Sequence, residues 1–92
     1  MSPWRVIVAH EAESTLRRLD RRQQTRLRAA IDRLGEGPSP GPGRDIRPLH
    51  GVPDLWRLRV GGWRILFTVQ NGPRVISVAA VRPRGQAYRG LR

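Results

Sequence analysis

LWRLRVGGWRILFTVQ, residues 55–70, is two alternating runs joined by a pair of glycines. Leu55 to Val60 and Trp63 to Gln70 read as strands, and Gly61-Gly62 is a strong two-residue hairpin turn, since glycine adopts positive φ without steric cost. Alternation sorts the side chains onto two faces. Trp56, Leu58, Val60, Trp63, Ile65, Phe67 and Val69 share one face, which is the predicted core. Arg57, Arg59, Arg64, Leu66 and Thr68 share the other. The two-residue turn pairs Val60 with Trp63 and sets Arg59 directly opposite Arg64, an arrangement of like charges that opposes folding.

Outward from this hairpin, Arg74 to Arg82 reads as a last strand. An Asn71-Gly72 turn would place Pro73, which has no N–H, inside the ladder. A three-residue Asn71-Gly72-Pro73 loop avoids this. It puts Ile76, Val78, Ala80 and Arg82 on the arginine face, with Arg82 near Arg64. Towards the N-terminus, Trp4 to Ala9 (WRVIVA) is a first strand. A helix follows from Glu11, because Ala12, Leu16 and Leu19 recur at helical spacing. Its acids, Glu11 and Glu13, precede its bases, Arg17 and Arg18, as the helix dipole favours. Asp20 and Gln23 form a variant capping box that opens a second helix, with an apolar stripe of Leu27, Ala30, Ile31 and Leu34. Residues 35–43, GEGPSPGPG, alternate glycine and proline too closely for a regular element and read as a connecting loop. The final ten residues, PRGQAYRGLR, read as an extended tail. The expectation is one α+β domain over residues 1–92, ordered βααβββ, with a helical hairpin on one face of a four-stranded, mainly antiparallel sheet.

Composition narrows the partners. Eighteen basic residues against seven acidic ones give +11, and every basic residue is arginine. Codon bias can select arginine over lysine but does not create the excess charge. Such charge on so small a domain favours a polyanion, nucleic acid before membrane. The chain has no cysteine, and its two histidines, His10 and His50, lack ligand spacing, so no metal site or cofactor is expected. The longest apolar-rich stretch, Val75 to Val81, is too short to cross a bilayer. The reading is a soluble, cytoplasmic protein.

For Arg57 alone, a solvated sheet face is sufficient explanation. Arg57, Arg59, Arg64 and Arg82 together, with few acids nearby in sequence, read as an anion site. The three tryptophans share the core parity and read as packing. His50 is a loop histidine, satisfied locally or contacting phosphate, and His10 is a helix-start residue. Tyr88 stands outside any apolar pattern, which favours binding or catalysis.

The runs PLHGVPDLWRLRVGGWRILFTV (48–69), VISVAAVRPRGQAY (75–88) and WRVIVAHEAESTLRRLD (4–20) resemble the RelE side of the RelE/ParE toxin superfamily. The 35–43 loop departs from the family by its length. The resemblance implies the toxin of a bacterial toxin–antitoxin pair that cleaves mRNA in the ribosomal A site. It implies partners in mRNA, the 16S rRNA of the ribosome and an acidic cognate antitoxin. In that family's terms Arg64 holds the scissile phosphate, Arg82 serves the leaving oxygen, and Tyr88 stacks on the base. Arg57 and Arg59 stand where lysine is frequent. Arginine is not deprotonated in proteins, so Arg59 is a charge-stabilising group rather than a base. Arg57, Arg84 and His50 are the further RNA contacts expected. Two other readings stay open: a ParE-like toxin that poisons DNA gyrase, and an RNA-binding module without turnover.

Overall fold

The computed structural model describes residues 3–85. It contains β1 (Arg5–Val8), α1 (His10–Arg18), α2 (Arg21–Arg33), a 3-10 turn (Leu34–Glu36), β2 (Asp45–Pro48), β3 (Leu55–Val60), β4 (Trp63–Gln70) and β5 (Val75–Pro83). The strands form one sheet in the order β1-β5-β4-β3-β2. β1 runs parallel to β5, and every other neighbouring pair is antiparallel.

The central hairpin is as the sequence predicts. Val60 pairs with Trp63 and Arg59 with Arg64, and Gly61 takes φ +59 at the turn. The two helices cover one face. Ala12 and Leu16 of α1 and Leu27 and Ile31 of α2 pack with Leu58, Ile65 and Phe67 of the sheet. Trp4, Trp56 and Trp63 are half-buried against this core, the packing role their parity indicates. The Asp20 carboxylate accepts the Gln23 N–H at 2.8 Å and starts α2. The other half of the capping box is replaced, because the Gln23 Oε1 accepts the Trp63 Nε1–H at 2.5 Å and ties α2 to the sheet.

Two expectations are corrected. The sheet has five strands, not four. The added strand, DIRP at Asp45–Pro48, is a short edge with one buried side chain, Ile46, so it lacks the alternation that marks a strand. Its proline closes an edge strand, where a missing N–H is tolerated. Secondly, the β4–β5 connection is one residue longer than expected. Gln70 pairs with Val75, leaving four residues in the turn, and Arg74 takes φ +56. That shift turns Ile76 and Val78 into the core beneath the helices. The shift does not persist, and the end of the strand lies as expected. Phe67 pairs with Val78 but Leu66 with Ala80, so a bulge passes over Ala79 and returns Ala80 and Arg82 to the arginine face.

Candidate active site

Register builds the site. On the face away from the helices, Asp45, Arg59, Arg64 and Arg82 stand directly across from one another on β2, β3, β4 and β5. The row behind it is Arg47, Arg57, Leu66 and Ala80. Leu66 and Ala80 are buried, and with Leu49 and Leu55 they make a second, smaller apolar cluster. The open face is therefore a row of charge backed by an apolar floor.

Three of the expected residues are brought together as predicted: Arg59, Arg64 and Arg82 occupy adjacent strands in one row. Their surroundings differ from the expectation. Arg64 is buried, at 8 % exposure, because it sits on the central strand with neighbours on both sides. Its Nη1–H donates to the Trp63 carbonyl at 3.2 Å. Arg59 is exposed, and among the described residues no hydrogen bond or ion pair holds its side chain.

Two acids compensate part of this charge, and neither was legible as a site residue. Asp45 Oδ1 accepts from Arg57 Nη2 at 3.2 Å and lies 3.4 Å from Arg47 Nε. Glu11 Oε2 accepts from Arg82 Nη2 at 3.0 Å and Nε at 3.3 Å. The arginines are thus not isolated from acids, contrary to the local sequence. Glu11 reads as a dipole-favouring residue of α1, and β1 delivers the start of that helix beside the end of β5. Asp45 lies between the loop read at 35–43 and the strand from Leu55, where the sequence reading assigns no element. Arg57 is tied into the structure as well, with a side chain 12 % exposed and paired to Asp45.

The row ends at a recess of about 450 Å³ where α1 meets β4 and β5, lined by Glu11, Thr15, Trp63, Arg82 and Pro83 among others. Arg84 is exposed just past β5, and its backbone N–H donates to the Gly62 carbonyl at 2.8 Å, keeping it beside the hairpin turn. His50 is exposed in the β2–β3 loop, where Gly51 and Asp54 take positive φ. Leu49 of this loop anchors to the second apolar cluster, but no hydrogen bond or ion pair joins His50 to the arginine row among the described residues. Tyr88 lies outside the described residues. His10 opens α1, its Nε2 standing 3.5 Å from Ser14 Oγ.

An arrangement of this kind is suited to phosphate. Arginines from three adjacent strands share one row, with Arg64 buried, Arg82 half-buried and Arg59 exposed; their charge is only partly offset, and an anion accepting several charge-assisted hydrogen bonds would complete the compensation. Residues 6–88 match the family model described as the ParE toxin of the type II toxin–antitoxin system, parDE. The chain belongs to that toxin family. Within the wider RelE/ParE superfamily its structure is RelE-like. It is similar to RelE in the archaeal RelE–RelB complex from Pyrococcus horikoshii, at 29 % identity and TM-score 0.78, covering 95 % of this chain and 100 % of that one. The isolated Escherichia coli RelE toxin shares the fold at 20 % identity and TM-score 0.70, covering 92 % and 90 % of the two chains. So does a YoeB/ParE toxin from Agrobacterium tumefaciens, at 19 % identity and TM-score 0.72, covering 87 % and 98 %. No curated protein matches the chain.

Proposed function

We propose that this toxin is a ribosome-dependent endoribonuclease that cuts mRNA in the A site. The observation that carries the reading is the row of Arg59, Arg64 and Arg82 across three adjacent strands. In the proposed reaction the RNA 2′-hydroxyl attacks the adjacent phosphorus and the bond to the 5′-oxygen breaks. The products are a 2′,3′-cyclic phosphate and a 5′-hydroxyl. The need for a 2′-hydroxyl makes RNA the substrate. Arg64, central and buried, holds the non-bridging oxygens as negative charge grows on the phosphorane. Arg82 stabilises the departing 5′-oxygen, with Glu11 fixing the direction of its guanidinium. Arg59 orients the 2′-oxygen and favours its deprotonated form, and Tyr88 stacks on a flanking base. Arg57, Arg84 and His50 contact the RNA outside the reacting phosphate. Arginine does not accept the proton that the 2′-hydroxyl gives up; that proton passes to solvent water and the departing 5′-oxygen takes one from water, so this face supplies charge and alignment rather than a base. The chemistry asks for no metal or cofactor.

Charge also supports a cognate acidic antitoxin in the cytoplasm. The Pyrococcus RelE was solved bound to RelB, and the +11 of this chain suits an acidic segment laid over the open face. The competing reading, gyrase inhibition, is favoured by the family model that matches. Primer-extension mapping of mRNA on ribosomes, run beside a gyrase supercoiling assay with the same protein, separates the two. A-site cuts without loss of supercoiling support the nuclease; loss of supercoiling on intact mRNA refutes it.

A further inference from the structure

We propose that a second cleft, on the helical side of the sheet, binds the phosphodiester backbone of a single RNA strand. It lies between α2 and the edge where β3 runs past the start of β2, with a cavity of about 330 Å³. Arg26 and Arg33 of α2, Arg44 just before β2, and Arg59 of β3 line it, and no carboxylate does among the described residues. That it binds RNA in particular rests on the nuclease reading; its affinity for a phosphodiester chain does not.

The charges are gathered by local geometry. Arg22, Arg26, Ala29 and Arg33 recur at intervals of four, three and four, which aligns them on one stripe of α2, roughly 16 Å long at the helical rise. Arg28, on a different face, is consumed by Glu13 and Gln24. The side chains of Arg26 and Arg33 make no hydrogen bond or ion pair among the described residues. Arg44 is pinned between them and the sheet, donating from Nη1 to the Ser39 carbonyl at 3.2 Å and from Nη2 to the Arg33 carbonyl at 3.3 Å. Burial first, and then the charge of Arg33, disfavour its protonated form. Arg26 lies over the hairpin turn: a Cβ on Gly61 would stand 2.9 Å from its Nη1, at the end of a flexible side chain that can shift, and it is the φ of +59 that calls for glycine there.

Small residues set what can enter. Ala29, Ala30, Gly43 and Gly61 line the cleft between the guanidinium groups, so a thin charged chain can approach closely. Arg59 belongs both to this cleft and to the row on the open face. The two basic surfaces therefore meet at the β3 edge, and a linear polyanion can pass from one to the other. An acidic peptide is the alternative occupant. The cleft's lining offers it Leu58 and Val60 but no aromatic side chain to anchor against, which favours the nucleic acid.

The test uses a fluorescein-labelled single-stranded 2′-O-methyl oligoribonucleotide, whose blocked 2′-oxygens prevent cleavage, titrated with the full chain across a salt series. R26Q/R33Q removes two exposed charges from the cleft. R5Q/R74Q removes the same charge beside the starts of β1 and β5, outside it. The cleft variant should bind about tenfold more weakly, and its log–log salt slope should fall by about 1.4, the loss of two single-strand phosphate contacts. The control variant should keep most of the affinity and slope. Equal losses in both variants, or no loss in the cleft variant, overturn the proposal. So does a cleft variant that loses affinity for polyglutamate while holding the oligoribonucleotide as the wild type does. A wild-type chain that leaves ribosomal mRNA uncut, yet shows the selective slope change, refutes the nuclease reading and supports the cleft.

Discussion

Replacing Asp45 with asparagine should weaken the fold and strengthen RNA binding at once. Asp45 is the acid of the arginine row, opposite Arg59, bonded to Arg57 and near Arg47. Asparagine keeps the shape and a carbonyl acceptor for Arg57, so the perturbation is the charge. The pair is intermediate in burial, with side-chain exposures of 12 % for Arg57 and 39 % for Asp45. Exposed pairs contribute ~0.2–1 kcal/mol, whereas breaking a buried one costs ~3–5 kcal/mol. With the hydrogen bond kept, the loss should be about 1 kcal/mol, which lowers Tm by roughly 4–8 °C in a domain of this size. On the binding side, the formal charge rises by one from +11, and a phosphate no longer competes with a carboxylate for Arg57. One added phosphate contact steepens the log–log salt slope by about 0.7. Thermal melts followed by circular dichroism and anisotropy titrations with a non-cleavable oligoribonucleotide read the two effects separately. A raised Tm would show that Asp45 does not relieve the repulsion. Weaker RNA binding would show that this face does not meet the ligand.

Two further predictions concern the helices. Asp20→Ala removes the side-chain cap of α2 and should cost about 1 kcal/mol, seen as a lower melting temperature, with the cleavage rate at low temperature unchanged because the cap is remote from the arginine row. The Glu13 carboxyl is held below its ordinary value of 4.5 by hydrogen bonds from Arg28, with attraction to Arg28 and bonding from Arg17 adding to the effect against the opposing burial. Its folded value lies below its unfolded one, so its contribution is complete above the unfolded value and is lost as pH falls through the folded value. Melting temperatures measured across that acid range should therefore fall more for the wild type than for Glu13→Gln; identical profiles would remove Glu13 as the acid-sensitive tie between α1 and α2.

Much of the site was legible because register in a tight hairpin is a local property. Two glycines between alternating runs fix Arg59 against Arg64 and sort the tryptophans inward, and both follow from residues within reach of one another along the chain. The Asp20 cap was legible for the same reason. What escaped depends on distant segments or single-residue irregularities. β2 forms only because β3 offers it an edge, and DIRP has too few residues to show a period. The four-residue turn before β5 shifted Ile76 and Val78 inward, and the bulge beside Leu66 cancelled that shift before Arg82. Arg82 thus arrived opposite Arg64 by two compensating irregularities, not by the simple loop expected. The acids were missed because pairing across distant segments leaves no local signal: Glu11 and Arg82 are 71 residues apart. Nor does alternation say how deeply a residue sits, so the burial of Arg64 on the central strand was not readable. That burial changes what its removal does to stability. A cross-strand repulsion is relieved, but the Trp63 carbonyl loses a donor and a cavity opens, so a melt of an Arg64 variant does not separate catalyst from scaffold.

Whether Arg64 stabilises a phosphate during RNA cleavage is decided by single-turnover cutting of mRNA on ribosomes. Wild-type protein and Arg64→Gln, each confirmed folded at the assay temperature, are compared at saturating ribosome concentration, with cuts mapped by primer extension. The wild type should cut in the A site, and the variant should cut slower by about a hundredfold or more, the loss typical of one oxyanion-stabilising donor. A folded Arg64→Gln protein that cuts at the wild-type rate, or a wild type that leaves mRNA intact, would contradict that role for Arg64.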